Sequence, residues 1–148
     1  MSAVVVLDSG PIGLLARRKD IPVVEVCRQW QRSLLARGVR VILPEIVDYE
    51  VRRELSRLNA VSSLARLDSL ATLLEYLPIT TEAMRLAAAL WGQARQQGRP
   101  TADPKEIDGD VILAAQTILL DAADAVVATT NVGHLSRYVA ARHWQDVA

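Results

Sequence analysis

The sequence contains very little cysteine, and this shortage limits how the fold can be held together. Cys27 is the single cysteine among 148 residues, so no disulfide can form within the chain. No other Cys and no His lies near it in the sequence, which excludes a local Cys/His metal cluster. We therefore expect Cys27 to be an ordinary residue of the hydrophobic core.

The chain also lacks net charge and any long hydrophobic run. Its 17 Lys and Arg balance its 17 Asp and Glu, which argues against a strongly basic surface that coats nucleic acid without regard to sequence. The first apolar run has no basic leader and stops at Asp8, so we expect neither a secretory signal nor a membrane span, and we predict a cytoplasmic protein. Because 51% of the residues are hydrophobic and no low-complexity tract occurs, we predict one globular domain over residues 1–148.

Several catalytic motifs of α/β proteins are missing as well. The segment Gly10-Pro-Ile-Gly13 lacks the spacing of a dinucleotide-binding loop, and the chain has neither a phosphate-binding Gly-Lys-Ser/Thr nor a Gly-x-Ser-x-Gly elbow. An aspartyl-phosphate enzyme could use Asp8. However, the residue two positions later is Gly10 rather than a second aspartate, and no suitably placed lysine accompanies it.

What is present is an alternation of apolar runs and amphipathic segments. Continuous apolar runs predict strands at residues 3–7, 39–43, 74–79 and 125–128, with a short edge strand within residues 138–147. Helical periodicity predicts helices at residues 12–18, 23–37 and 60–74, others opening at Pro44 and at Thr80 or Thr81, and one after Asp110. This order indicates a three-layer α/β/α sandwich with a central parallel sheet.

Acidic and amide side chains are expected to meet at one edge of that sheet. Asp8 and Asn131 follow strands, whereas Glu50 and Asp110 lie near the starts of helices, and ligands of open α/β sheets bind beyond the carboxyl ends of the strands. Oxygen ligands with few His and no Cys suit Mg²⁺ or Mn²⁺ better than zinc or copper. A site of this kind activates water and holds a phosphate, so the implied chemistry is phosphodiester hydrolysis.

The acidic residues also allow a purely structural interpretation. Asp108 and Asp110 flank Gly109 before a run that should form a helix buried on every face. Asp108 either caps that helix, with Asp110 in its first turn, or both acids bind a cation. Glu50 and Glu54 stand four residues apart with Arg53 and Arg57 beyond them, so a solvated, ion-paired helix face is the alternative for both glutamates.

Four short segments in this order resemble the PIN domain, and within it the small VapC-like ribonucleases of prokaryotes. They are Leu7-Asp-Ser-Gly10, Glu50-Val, Asp110-Val-Ile-Leu-Ala-Ala115 and Ala128-Thr-Thr-Asn-Val-Gly-His-Leu135. The resemblance spans essentially the whole chain. It implies a PIN-like fold, an acidic pocket that binds Mg²⁺ or Mn²⁺, cleavage of RNA, a homodimer, and a small antitoxin partner that blocks the site.

The resemblance also assigns roles to individual residues. Asp8, Glu50 and Asp110 match the family's three constant acids. Asn131 matches its last polar residue, and Ser9 matches the small hydroxyl residue that follows its first aspartate. His134 is a departure, because many members carry a fourth acid there. Either Asp108 substitutes for that acid as a metal ligand, or three acids suffice. A basic residue of the 98–105 loop, Arg99 or Lys105, is expected to contact the RNA backbone.

Two hypotheses compete with a metal-dependent ribonuclease that serves as the toxin of a toxin–antitoxin pair. The first is a catalytically idle PIN-fold interaction module, which the missing fourth acid and the neutral charge favour. The second is a non-nuclease α/β domain whose acids are helix caps and ion pairs. Nuclease activity should disappear on chelation, an interaction module should be indifferent to chelation, and the non-nuclease domain should gain no stability from divalent ions.

Overall fold

The computed structural model describes residues 4–18, 20–98 and 104–148, with side chains from Asp108 onward in the last range. Five strands alternate with helices along the chain. The strands are β1 (Val4–Leu7), β2 (Arg40–Pro44), β3 (Glu75–Leu77), β4 (Ala125–Thr129) and β5 (Ala141–His143). The helices are α1 (Ser9–Leu15), α2 (Pro22–Ala36), α3 (Glu45–Arg57), α4 (Val61–Leu73), α5 (Thr81–Gln96), α6 (Pro104–Ile118) and α7 (Val132–Leu135), and a 3₁₀ turn spans Trp144–Asp146.

The sheet is parallel throughout, with strand order β3-β2-β1-β4-β5. All four residues of β1 are buried, as expected for a central strand covered by helices on both faces. The predicted three-layer α/β/α fold and the predicted edge strand near the end of the chain are therefore confirmed.

The pairing of β1 with β4 places the ends of these strands side by side. Leu7 pairs with Ala128, and the backbone N–H of Asp8 donates a hydrogen bond to the Ala128 carbonyl oxygen at 3.0 Å. Asp8 and Thr129 are consequently neighbours at the carboxyl edge of the sheet, where the topology predicts a ligand site.

A hydrophobic core surrounds the sheet and holds the helices against it. Fully buried side chains come from the strands and from α1, α2, α3, α4 and α6, and they include Val5, Leu7, Ile12, Leu34, Ile42, Val47, Leu67 and Leu113. Cys27 is also buried, and burial raises the pKa of its thiol to about 12. This confirms the core role predicted for Cys27, since the reactive species of cysteine is the thiolate.

Several predicted helix boundaries are wrong, and the most important concerns α6. This helix begins at Pro104, a first-turn position that proline favours, so Asp108 and Asp110 lie inside the helix and Asp108 is not its cap. The C-terminal end is not buried on every face either, because Ile118 is 42% exposed.

The other boundary errors are smaller. Helix α1 begins at Ser9, directly after Asp8, and Pro44 ends β2 instead of opening α3. The short helix α7 was not expected, since its four residues carry no readable periodicity. Among the described residues, no helix combines the length and the apolar character that crossing a membrane requires.

Candidate active site

Asp8 is held rigidly at the junction of β1 and α1. It has the extended backbone of a helix N-cap, and its Oδ1 accepts a hydrogen bond from the backbone N–H of Ser9 at 2.7 Å. The residue is only 9% exposed. A strand that delivers its last residue directly into a helix start presents the carboxylate at the sheet edge in one orientation.

Thr129 completes the fixation of Asp8 from the neighbouring strand. Its hydroxyl donates to Asp8 Oδ2 at 2.7 Å and accepts from the backbone N–H of Asn131 at 2.9 Å. Thr129 is fully buried, so its hydrogen bond to Asp8 is shielded from water. Nothing in the local sequence singles out this residue, and only the register between β1 and β4 could have identified it.

Glu50 reaches the same edge from α3. Burial is the largest of the effects that raise the pKa of its carboxyl to about 7, and the negative charges of Asp8 and Asp110 act in the same direction against the opposing charge of Arg53. The solvated, ion-paired interpretation therefore does not apply to Glu50. It applies to Glu54, whose exposed carboxylate forms an ion pair with Arg57.

Three consecutive residues of α6 point to three different neighbours. Gly109 is buried and faces the carboxylate of Glu50 on α3. Asp110 is half-buried and faces α7, where His134 Nδ1 lies 3.5 Å from its Oδ2. Asp108 is exposed and lines a cavity between α5 and α6. Successive helical residues project about 100° apart, which explains this division.

The structure thus brings some predicted site residues together and leaves others apart. Asp8, Glu50 and Asp110, called the acidic group below, are near enough for the charges of the two aspartates to act on Glu50. Ser9 and Asn131 contribute backbone N–H groups through Asp8 and Thr129. Asp108 faces away from this group. Arg99 and the side chain of Lys105 lie outside the described part of the chain.

Comparison with solved structures reveals a consistent set of neighbours. VapBC2 of Rickettsia felis, bound to a DNA fragment from its promoter, has a chain that is 18% identical, with a TM-score of 0.70 and coverage of 95% of this chain and 98% of that chain. FitAcB of Neisseria gonorrhoeae is 21% identical, with a TM-score of 0.70 and coverage of 97% and 99%. DNA-bound VapBC of Salmonella typhimurium is 17% identical, with a TM-score of 0.71 and coverage of 95% and 97%.

The chain has a PIN-like fold. At these identities the likeness is one of fold, and the PIN-like architecture extends over nearly the whole chain. No protein-family model matches the sequence, and no curated protein matches it significantly. Function is therefore inferred from the residues at the carboxyl edge of the PIN-like sheet.

The donor set of this PIN-like site fits a hard divalent cation. Its three acids present only oxygen atoms. Burial, with the charges of the two aspartates, raises the pKa of Glu50, and a bound cation relieves repulsion of this kind. Among the described residues, however, no three His, Cys, Asp or Glu side chains form a group that could hold a metal ion. Mg²⁺ does not need a full set of protein ligands, because the ion keeps several waters and is usually bound through one or two carboxylates.

Proposed function

We propose that the chain is a metal-dependent endoribonuclease whose active site contains Asp8, Glu50 and Asp110. The observation that carries this proposal is the position of Glu50, a partly buried carboxyl that experiences the charges of both aspartates. A fold gains no stability by bringing like charges together in this way. Their value lies in binding a cation and, through it, a phosphate.

Asp8, Glu50 and Asp110 would hold Mg²⁺ or Mn²⁺, directly or through water. When bound, the ion supplies an activated water and neutralises charge on the scissile phosphate. Asp8 keeps a fixed orientation because both of its oxygens accept hydrogen bonds. Those oxygens retain lone pairs for a ligand, since a carboxylate can accept about four contacts.

The remaining residues of the site position its acids and the substrate. Thr129 holds Asp8 and the backbone of Asn131 in a single hydrogen-bonded unit. His134 lies beside Asp110, at the sequence position where the resemblance leads one to expect a fourth acid. We assign it a place next to a metal ligand and not among the ligands, because imidazole suits softer metals than Mg²⁺. We retain Arg99 and Lys105 as predicted contacts to the RNA backbone.

We further propose that the protein is the toxin of a toxin–antitoxin pair, with a small protein as its partner and a homodimer as its assembly. This is supported by the likeness of its fold to chains of VapBC and FitAcB complexes. Coexpression with a short adjacent reading frame, followed by size-exclusion chromatography with light scattering, tests both the partner and the dimer. A monomeric chain that copurifies with no such product would contradict this part of the proposal.

An idle interaction module is the second candidate, and one observation favours it. The described residues contain no group of three side chains that could hold a metal ion as they stand. A module of this kind would retain the PIN-like fold and bind its partner equally well with and without chelator.

Cleavage of a mixed structured RNA by the purified protein tests the proposed activity. The reactions contain Mn²⁺, Mg²⁺ or EDTA and are run beside Asp8→Asn. Asparagine can still cap α1 and accept from Ser9, so this variant should fold while losing the charge that the ion requires. We expect metal-dependent cleavage by the wild type and at least a hundredfold loss in Asp8→Asn.

Asp20→Asn is the matched control. It removes the same charge from an exposed residue that pairs with Arg18, and it should cleave like the wild type. Cleavage that persists in EDTA, or that survives Asp8→Asn unchanged, would overturn the nuclease assignment. Absence of cleavage together with partner binding in EDTA would establish the interaction module instead.

A further inference from the structure

A cavity of about 370 Å³ opens between α5 and α6. Its walls are apolar and come from both helices: Met84, Ala87 and Trp91 on α5, and Val111 and Ile112 on α6. The volume lies within the range of small-ligand pockets, roughly 300 to 1,000 Å³. Met84 is 46% exposed and Trp91 is 36% exposed, so apolar surface is accessible at its mouth.

Asp108 is the single charged residue among the described residues that line this cavity. It stands two positions before Asp110 on the same helix, and the intervening Gly109 faces Glu50. Asp108 therefore lies within one helical turn of Asp110 in the acidic group that we assign to phosphodiester cleavage, but on another face of α6.

Trp91 gives the cavity one aromatic wall. The guanidinium of Arg95 lies over its ring, 4.7 Å from the centroid, and this cation–π contact holds the indole in place. Arg95 covers one face of the ring, so a base would have to stack on the other. Aromatic side chains stack on unpaired bases in the recognition of single-stranded RNA.

We propose that this cavity binds one unpaired nucleobase of the RNA, and that Asp108 selects guanine. This inference rests on the proposed ribonuclease function. An ionised carboxylate only accepts hydrogen bonds, so it favours a base that presents adjacent donors. The Watson–Crick edge of guanine offers N1–H and N2–H₂ side by side, whereas every donor on that edge of adenine, cytosine or uracil has an acceptor next to it.

The apolar walls and the acid together favour a base over a second copy of the chain. An apolar interface would leave the Asp108 carboxylate without a donor, which is costly when it is desolvated. A base satisfies both parts of the cavity, because its faces contact the apolar walls and its edge donates to the carboxylate.

Binding without cleavage provides the first test. Fluorescence anisotropy in EDTA compares a labelled octamer of uridines containing one central guanosine with the same octamer containing inosine, which lacks the N2 amine. We expect the guanosine octamer to bind at least fivefold more tightly. Asp108→Asn should abolish this preference, and Asp20→Asn should keep it. Trp91→Leu should weaken the binding of both octamers by a similar factor, because stacking does not distinguish the two bases.

The inference is overturned if the wild type binds both octamers equally or binds neither, or if Asp108→Asn keeps the preference. It is also overturned if Trp91→Glu converts a dimer to a monomer in sedimentation, since a second copy would then cover the cavity.

Mapping of cut sites in a random RNA pool with Mn²⁺ separates the two proposals. Cleavage with no guanosine enriched near the cut contradicts the guanine pocket and leaves the nuclease intact. Guanosine-selective binding with no metal-dependent cleavage contradicts the nuclease and retains the pocket.

Discussion

The carboxylate of Glu50 lies directly against the backbone of Gly109. A β-carbon at position 109 would overlap Glu50 Oε2 and would lie 3.0 Å from Glu50 Cδ. Glycine at this position therefore creates the space that the carboxylate of α3 occupies beside α6. Because Glu50 is a long side chain, it can move away from an added methyl group at little cost to the fold.

We expect Gly109→Ala to separate stability from activity. Alanine is favoured over glycine inside a helix by about 1 kcal/mol, so the free energy of unfolding should stay equal or rise, while displacement of Glu50 lowers RNA cleavage at least tenfold. Urea unfolding and a cleavage assay measure the two effects. Gly13→Ala is the control, because a β-carbon there meets nothing within 4 Å. Full activity in Gly109→Ala would show that the position of Glu50 does not matter.

The pH dependence of stability should report Glu50 directly. Burial and the charges of Asp8 and Asp110 raise the pKa of this carboxyl to about 7 from an ordinary value of 4.5. The folded state therefore holds its proton more tightly than the unfolded chain does. The contribution of Glu50 to the free energy of unfolding is therefore greatest below about pH 4.5, and it is lost as the pH rises through about 7.

Glu50→Gln removes this penalty. Measured by urea unfolding in EDTA, the variant should be more stable than the wild type at pH 8 by roughly 1 to 3 kcal/mol, after allowance for partial exposure. The difference should shrink at pH 5. Glu54→Gln is the matched control. It loses an exposed carboxylate with a lowered pKa and should show no such gain at pH 8. A flat difference across this pH range would contradict the prediction.

Divalent cations should stabilise the protein through the same carboxylates. A ligand that binds only the folded state at a hundred times its Kd adds about 2.7 kcal/mol, so Mn²⁺ should raise the melting temperature measured by calorimetry. The shift should be larger at pH 8 than at pH 5, because the ion competes with the proton on Glu50. Asp8→Asn should lose the shift and Asp20→Asn should retain it. An equal shift in all three proteins would indicate binding elsewhere.

Removal of the Thr129 hydroxyl should affect both the fold and the site. Thr129→Val leaves Asp8 Oδ2 and the Asn131 N–H without their partner, which should cost about 1 to 3 kcal/mol in unfolding and lower cleavage at least tenfold. Thr129→Ser keeps the hydroxyl and should restore cleavage.

Thr117→Val is the control for the loss of a buried hydroxyl. Thr117 donates only to the Leu113 carbonyl within its own helix, so its loss should not change cleavage. If Thr129→Val cleaves RNA normally, Thr129 has a structural role only.

The sequence predicts the strands along the chain well because β1 and β4 are continuous apolar runs, and such runs in an α/β pattern require a covered parallel sheet. It also predicts where Asp8 and Asn131 lie, since each follows a strand. The direction of Asp108 could not be predicted in the same way. It depends on where α6 begins, at Pro104, and on the packing of α5 against α6, neither of which is encoded in the local pattern around residue 108.

Thr129 was missed for a different reason. A threonine at the end of a strand is common, and only the register between β1 and β4 gives it a partner 121 residues away. The three acids can be picked out by residue type, whereas Thr129, which holds Asp8, can be found only from the pairing of distant segments.

This pairing has a consequence for synthesis of the chain. Asp8 is translated 121 residues before its partner Thr129, which lies on β4. Domains fold as units once their segments are available, so the acidic site cannot be completed until residues 125–131 have left the ribosomal exit tunnel. On the proposed function, a nascent chain surrounded by ribosomal and transfer RNA would remain unable to cut it until β4 has emerged.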